Sequence, residues 1–186
     1  MCIEDTELMQ AYASGDTAAF EVLYTRHKGA LYQYLINSCD NESTAGELFQ
    51  DIWLKVIRSR KYYEPQSPFA GWLYKIARNR LIDHYRQKGR KPGTESIDEE
   101  ATDNVVSLAT QSLSPEQIAS LGEQRDVLQN TLYELPDEQR EAVLLRHVAG
   151  MTTTEISDIM GVGTETVKSR LRYAVVKLRS LLEKRL

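Results

Sequence analysis

Basic and hydroxyl side chains cluster near the carboxyl end of the chain, at Lys168, Ser169, Arg170 and Arg172. Guanidinium and ammonium groups bind phosphate oxygens, and they can also donate to guanine in the major groove. At the beginning of a helix, such groups stand where a recognition helix meets base edges and phosphates. The residue types and their spacing therefore predict recognition of duplex DNA.

The elements that must position these groups form a predicted helix-turn-helix over residues 151–171. Thr152 or Thr153 is expected to cap the first helix and Thr164 the second, with Gly161 as the left-handed residue that ends the first. The apolar positions recur at helical spacing and are predicted to face inward: Ile156, Ile159, Met160, Val167 and Leu171. The alternative is an ordinary helical hairpin with a solvated basic face. The combination of caps, glycine turn and basic helix start favours DNA binding over that alternative.

Charge is distributed unevenly along the chain, although the formal net charge is only −4. Residues 1–52 carry nine acids and two bases, whereas residues 75–91 and residues 168–186 each carry seven bases and one acid. A segment of concentrated positive charge attracts phosphates even when the net charge of the whole chain is negative. Two separate basic stripes therefore predict two separate contacts with nucleic acid.

Helical periodicity extends over most of the chain, and no alternating strand pattern persists, so the predicted fold is all-α. The predicted helices of the first half cover residues 6–13, 18–37, 44–59 and 70–87. Periodicity fails over residues 92–114, an acidic stretch that we predict to be a flexible linker. A helix with proline at its first position follows the linker. We therefore predict two small helical domains, residues 1–91 and residues 115–186, the second a four-helix unit that contains the helix-turn-helix.

Capping chemistry and a polar face distinguish the third predicted helix. Ser43 or Thr44 is placed to cap it, as Asp16 is for the helix before it. Polar residues about one turn apart share one face: Glu47, Gln50 and Asp51. Leu48 is expected beside them as an exposed apolar position, and such a face suits a basic protein surface. From these residues alone, a solvated helix face remains the preferred interpretation.

The fourth predicted helix and the loop before it combine aromatic, amide and basic side chains. The polar groups expected on one side of the helix are Lys75, Arg78 and Asn79. Asp83 is placed to pair with Arg80 or Arg86, whereas Trp72 is assigned to the core. The loop offers flat rings that could hold an unstacked base: Tyr62, Tyr63 and Phe69. Opening a duplex costs about 1.4 kcal/mol per base step, so trapping one base would help to nucleate melting.

Several classes of protein are disfavoured by what the sequence lacks. The three histidines are isolated on predicted helices, and no glycine-rich phosphate loop is present, so no catalysis, cofactor or metal is expected. Cys2 and Cys39 are interpreted as reduced thiols. No apolar run approaches the roughly 20 residues of a membrane span, and the acidic start is atypical of a signal peptide, so a cytoplasmic protein is expected. A two-domain response regulator would need an aspartate after a buried strand, and no such strand is predicted.

Separate motifs along the chain resemble, in order, those of bacterial RNA polymerase sigma factors of the extracytoplasmic-function (ECF) class. The matching segments are residues 5–8 and 15–24, 47–56, 69–86, and 135–140 with the helix-turn-helix. In that family they are the opening helices, the polymerase-binding helix, the melting and minus-10 helix, and the minus-35 domain. Because the order and spacing match together, the chain is identified as a member of this class.

The resemblance implies a sigma factor that binds core RNA polymerase and directs promoter-specific initiation, under stress-responsive control by an anti-sigma factor. The β′ clamp helices and the β flap of the polymerase are the implied docking partners, without membrane insertion. The implied polymerase-binding residues are Glu47, Leu48, Gln50 and Asp51. The implied minus-10 residues are Tyr62, Tyr63, Phe69, Lys75, Arg78, Asn79, Arg80 and Arg86. The implied minus-35 residues are Thr164, Thr166, Lys168, Ser169, Arg170, Arg172 and Tyr173.

Three arginine or tyrosine positions and the acidic linker carry further expectations. Tyr173 stands where many members of the class carry arginine, which alters one expected DNA contact. Arg140 and Arg146 are expected to be phosphate clamps or surface charges rather than base readers. By the resemblance, the acidic linker threads the polymerase cleft and mimics the charge of a nascent transcript. From the sequence alone, simple disorder is the preferred interpretation of that segment.

Overall fold

The computed structural model describes residues 3–65, 68–89 and 127–184, and within these ranges it contains helices and no strand. The helices are α1 (Asp5–Ala13), α2 (Thr17–Ile36), α3 (Glu42–Ser59), α4 (Phe69–Gln87), α5 (residues 127–133), α6 (Asp137–His147), α7 (Thr153–Met160) and α8 (Thr164–Glu183). A 3-10 turn, Arg60–Tyr62, follows α3. The all-α prediction is confirmed. The predicted linker and the start of the helix after it lie outside the described residues.

Side-chain caps fix where the early helices begin. The Asp16 carboxylate accepts hydrogen bonds from the backbone of Ala18 at 3.0 Å and Ala19 at 3.4 Å, as predicted for the start of α2. Helix α3 begins earlier than predicted, because Asn41 Oδ1 accepts from the Thr44 amide at 2.9 Å. The prediction of a Ser43 or Thr44 cap was therefore wrong: Asn41 already satisfies the free amide, and both residues lie within the helix.

Aromatic packing joins α2 to α3 in the first domain. The Tyr24 and Trp53 rings meet edge to face with centroids 4.9 Å apart, and Phe20 contacts the same indole at 5.8 Å. Such tilted contacts add to the stabilisation from burial. Because α3 turns this apolar face inward and α4 packs beside it, the opposite face of α3 is left on the surface.

The helix-turn-helix forms as the sequence predicts, with one change at its second cap. Thr152 and Glu155 make a reciprocal capping box at the start of α7, and Gly161 ends that helix with φ 68°. Gly163 is the N-cap of α8, and Thr164 is already the first helical residue, so the predicted Thr164 cap was wrong. The apolar positions pack into the core: Ile156, Ile159, Met160 and Val167 are buried, and Leu171 is partly buried.

The two predicted domains contact each other in this structure. Helix α4 packs against α7, and residues from α2, α4 and α6 line a small cavity of about 70 Å³. The Tyr133 hydroxyl on α5 donates to the backbone carbonyls of Ile36, at 3.2 Å, and Cys39. These carbonyls belong to the end of α2 and the turn after it, where helical partners are missing. The second domain thus satisfies backbone groups of the first.

Candidate polymerase and nucleic-acid interfaces

The polar face predicted on α3 is on the surface, but its apolar member is a different residue. Glu47 and Gln50 are exposed, whereas the Leu48 side chain is only 1% exposed and belongs to the core. The placement of Leu48 on the outer face was therefore wrong, because it lies on the buried stripe of α3 with Ala45 and Ile52. Leu54 is 46% exposed and takes that place. Its spacing of four residues from Gln50 was the signal that could have identified it.

A surface cleft of about 400 Å³ runs between α3 and α4. Arg80, one of its lining residues, donates from Nε at 2.9 Å and from Nη2 at 2.6 Å to Asp51 Oδ2. Of the two partners predicted for Asp83, Arg80 and Arg86, the first was wrong, since Arg80 bonds Asp51 on α3. The residues that line the cleft are Asp51, Ile52, Leu54, Lys55, Arg58, Ile76, Asn79, Arg80 and Asp83. Residues predicted for polymerase docking and residues predicted for minus-10 contact therefore share one cleft.

The polar side chains of α4 fall on more than one face. Lys75, Asn79 and Arg86 are exposed and lie along one side of the helix. Arg78 was predicted to project with Lys75 and Asn79, and this was wrong. Its guanidinium turns toward α6, where Nε donates to Glu141 Oε1 at 2.7 Å. A 100° rotation per residue separates Arg78 from its neighbour, which the linear pattern did not resolve.

The aromatic loop before α4 divides into one exposed ring and two inner rings. Tyr62 is 81% exposed, whereas Phe69 is 1% exposed and Tyr63 is also buried. Tyr63 and Trp72 pack with centroids 5.3 Å apart, and Trp72 also contacts Phe69. The expectation that Tyr63 and Phe69 lie open to a base was wrong, because both rings pack into this core. Tyr62 remains available for stacking.

The start of α8 carries most of its predicted DNA-contacting groups on the surface. The exposed residues are Thr164, Thr166, Lys168, Ser169, Arg172 and Tyr173. Lys168 Nζ donates to Glu165 Oε1 at 2.7 Å, and the Arg172 guanidinium lies 5.0 Å from the Tyr173 ring centroid. Exposed pairs of this kind contribute little to stability and exchange readily with other partners. These side chains therefore form a basic surface that is open to phosphates and base edges.

The other arginines of the second domain are held by protein groups. Arg170 is 17% exposed at its side chain and donates to Glu138 on α6. Arg140 is buried, bonds Asp137 at 2.9 Å and lies 5.0 Å from the Tyr133 ring centroid. Arg146 donates to the Met151 carbonyl at 2.8 Å, at the entry to the helix-turn-helix. The expectation that Arg140 is a surface charge or phosphate clamp was wrong, because it braces the packing of α6.

Among the described residues, metal-ligating side chains do not cluster, and the thiol of Cys39 is buried. Within residues 3–65, 68–89 and 127–184, no group of three or more His, Cys, Asp or Glu side chains could hold a metal ion. Burial raises the pKa of the Cys39 thiol to about 12, so it stays protonated and unreactive at neutral pH. In the same part of the chain, no helix has the length and apolar character needed to cross a membrane.

Two family models match this chain, in the order in which the two candidate surfaces occur. Sigma-70 region 2 matches residues 23–91, and Sigma-70, region 4 matches residues 131–180. The ECF RNA polymerase sigma factor SigE of Mycolicibacterium smegmatis is 33% identical over 176 residues, which are 92% of this chain and 66% of SigE. The RNA polymerase sigma factor CarQ of Myxococcus xanthus is 33% identical over 174 residues, which are 94% of this chain and 95% of CarQ. The chain belongs to the ECF class of sigma factors.

Two solved structures share the fold of this chain. CnrH, in complex with the cytosolic domain of CnrY, superposes with a TM-score of 0.71 and 26% identity, over 97% of both chains. RpoE of Bartonella quintana, in complex with the anti-sigma factor NepR, shares the fold at 24% identity and a TM-score of 0.69. Sigma factors are transcription initiation factors rather than catalysts. The region 2 match of this sigma factor contains α3 and α4, and the region 4 match contains α6 and α7 with most of α8.

Proposed function

We propose that this sigma factor directs core RNA polymerase to promoters through two DNA-contacting faces, one on α4 and one on α8. The observation that carries the proposal is the presence of an exposed basic stripe in each matched region. The stripe on α4 consists of Lys75, Asn79 and Arg86. The stripe on α8 includes Lys168 and Arg172. Neither stripe is large, so each domain alone would have little more than weak, salt-sensitive affinity for DNA. Polymerase would supply the fixed spacing that lets both act together.

The outer face of α3 is the proposed docking surface for the β′ clamp helices. Glu47 and Gln50 supply acidic and polar contacts, and Leu54 supplies an apolar one. A central apolar side chain within a polar surround is the usual form of a protein interface. Asp51 contributes through its bond to Arg80, which joins the docking helix to α4.

The cleft between α3 and α4 and the exposed ring of Tyr62 are the proposed minus-10 site. Asn79 lines that cleft and carries both a donor and an acceptor, as reading a base edge requires. Tyr62 offers an open aromatic face on which an unstacked base could lie. Because Leu54 and Asn79 share the cleft, docking of polymerase and contact with the melted strand would occur side by side.

The beginning of α8 is the proposed minus-35 reader. Lys168 and Arg172 can donate to guanine or to phosphate, and Ser169 and Thr166 can serve either a base or a phosphate. Tyr173 is 56% exposed and lies under the Arg172 guanidinium, so it would orient that group toward the DNA. Arg170 would contribute only after leaving Glu138.

Control by an anti-sigma factor is the regulatory part of the proposal. CnrH was solved with the cytosolic domain of CnrY, and this chain matches CnrH over 97% of its length. An anti-sigma partner would have to cover the docking face of α3, the basic surface of α8, or both, in order to prevent initiation.

The direct test is transcription from a library of genomic fragments by core polymerase with the purified chain, followed by sequencing of transcript 5′ ends. We expect starts downstream of one shared pair of sequence elements, absent with core polymerase alone. Tight, sequence-specific duplex binding by the free chain without stimulation of core polymerase would contradict the proposal and indicate a repressor.

A further inference from the structure

An acidic side chain lies on the basic surface that the proposed function assigns to the upstream element. Glu165 is in the first turn of α8, and its side chain is 83% exposed. It was not among the DNA-contacting residues predicted from the sequence. The first turns of a recognition helix are the part that meets base edges in the major groove. A carboxylate at that position therefore faces a base or a phosphate when α8 binds DNA.

Glu165 shares the outer face of α8 with two of the predicted DNA-contacting residues. At 100° per residue, Ser169 and Arg172 lie within about 40° of it around the helix axis. All three residues are exposed. The buried residues Val167 and Ala174 lie about 160° to 180° away, on the side that packs into the domain. The carboxylate is therefore in line with the hydroxyl and the guanidinium that are proposed to contact DNA.

In the free chain, the Glu165 carboxylate has a cationic neighbour. Lys168 Nζ donates to Glu165 Oε1 at 2.7 Å, and the Lys168 side chain is 60% exposed. Because both groups are open to water, the pair contributes little to stability, and the ammonium can leave for a phosphate. The partial positive charge at the start of a helix also favours an acid there. When Lys168 moves to a phosphate in the complex, the carboxylate needs another donor.

The major groove offers few donors to a carboxylate. Guanine presents only acceptors there, thymine an acceptor and a methyl group, and adenine an acceptor beside its amino group, whereas cytosine presents an amino group alone. A carboxylate accepts hydrogen bonds and donates none, so base acceptors and phosphates repel it. The N4 amino group of cytosine is therefore the group in the groove that matches Glu165 best.

We infer that Glu165 sets the specificity of upstream recognition, with its carboxylate accepting a hydrogen bond from the N4 amino group of a cytosine. This inference rests on the proposed function, because it takes the start of α8 as the reader of the upstream element. Base pairs that offer no free donor at that position are disfavoured, since they leave the carboxylate beside acceptors. Glu165 thus acts through rejection of the wrong bases as well as through attraction to the right one.

The test is transcription by holoenzyme, the full-length chain with core polymerase, from a promoter library randomised across the upstream element. Barcodes in the transcripts identify the promoters used and give the base preference at each position. We expect the wild type to prefer cytosine at one position, on one of the two strands, by about tenfold over the other bases. Glu165→Ala should lose that preference alone. Glu165→Gln should shift it to adenine, because an amide pairs with adenine N6 and N7.

Glu183→Gln is the matched control for these variants. Glu183 is exposed on the same face of α8, but it lies about 27 Å farther along the helix axis, beyond the turns that meet bases. The control removes the same charge from the same helix, and it should leave the preference at every position unchanged.

The outcomes separate this inference from the proposed function. If wild-type holoenzyme selects an upstream element but Glu165→Gln keeps every base preference, Glu165 reads no base and the inference is wrong. An equal weakening of the preference at all positions would also contradict it, because such a loss reflects general charge rather than readout of one base. If the wild-type chain directs no initiation from the library, the proposed function fails, and this inference fails with it.

Discussion

At the residue scale, Leu54 and Gln50 allow polymerase docking to be tested apart from folding. Both side chains lie on the outer face of α3 and are exposed, so their removal should leave the free energy of unfolding almost unchanged. The double variant Leu54→Ala/Gln50→Ala should bind core polymerase more weakly by about 2 kcal/mol, because burial of a leucine at an interface contributes that much. The measurement is a titration of core polymerase with labelled sigma factor.

Val22→Ala is the matched control for that titration, since Val22 is 41% exposed on α2, away from the proposed docking face. Asp51→Ala is a less specific probe, because it also removes the acceptor of Arg80. Equal affinities for the Val22 and Leu54/Gln50 variants would show that polymerase docks elsewhere.

Asp5 predicts how one early contact responds to acid. Its carboxylate bonds Arg26 Nη1 and His27 Nε2, each at 2.6 Å, and so joins α1 to α2. Burial alone would raise the pKa of this carboxyl, but hydrogen bonds from Arg26 and His27 outweigh burial, and the pKa lies below its ordinary 3.8. A lowered native pKa means that the stabilisation is present above the ordinary pKa and is lost as the pH falls through the native one.

Asp5→Asn should therefore lower the free energy of unfolding by about 1 kcal/mol at neutral pH. Urea titrations at pH 7 and at about pH 3 would check this, and the difference between variant and wild type should shrink in acid. Asp158→Asn, at an exposed position of α7, should show no such difference at either pH. If the difference in the free energy of unfolding between Asp5→Asn and wild type did not depend on pH, the variant would have lost packing rather than a charge interaction.

At the element scale, two glycines of the helix-turn-helix should respond oppositely to substitution. A Cβ atom at Gly161 or at Gly163 would meet nothing within 4 Å, so space does not distinguish them. Gly161 has φ 68°, in the left-handed region that L side chains avoid, whereas Gly163 has φ −68°. Gly161→Ala should cost about 1–2 kcal/mol, and Gly163→Ser should gain a few tenths through a new N-cap.

Thermal unfolding of the two variants would measure these effects. Circular dichroism of the native states should match the wild type, since neither residue contacts the core. Equal destabilisation by both substitutions would mean that the turn is sensitive to any side chain and that its backbone conformation is not the reason for glycine.

Local chemistry explains which features of these elements were predictable from the sequence. Asp16, Thr152 and Gly161 act within a few residues of themselves, so the sequence pattern alone located their helix ends. Asn41 competed with two neighbouring candidates for one helix start, and the pattern contained no information that ranks adjacent caps. Leu48 was misplaced for a related reason: a polar face marks the outside of a helix only to within one residue.

At the scale of the whole molecule, the sequence pattern did not predict which residues the arginines bond. Arg78 and Glu141 are separated by 63 positions, and Arg170 and Glu138 by 32. Pairing between residues so far apart in the sequence depends on how whole helices and domains pack. The local spacing of residues does not determine that packing. The division into two basic stripes needed no such information, because it depends only on where charge lies along the chain.

In the proposed function, α8 recognises the upstream promoter element, whereas α4 acts in opening the downstream one. Asn79→Ala should impair opening, and Lys168→Ala/Arg172→Ala should impair upstream recognition, each at a cost of about 1–3 kcal/mol per lost contact. Lys177→Ala/Arg179→Ala, at exposed positions farther along α8, is the matched control for lost charge.

Permanganate footprinting of unpaired thymines by holoenzyme, on duplex and on pre-melted promoter templates, tests this division most directly. On the pre-melted template, the Asn79→Ala defect should largely disappear, because the cost of unpairing has been removed, whereas the Lys168→Ala/Arg172→Ala defect should persist. Equal rescue of both variants by the bubble, or rescue of neither, would contradict the assignment of the two faces to separate steps of initiation.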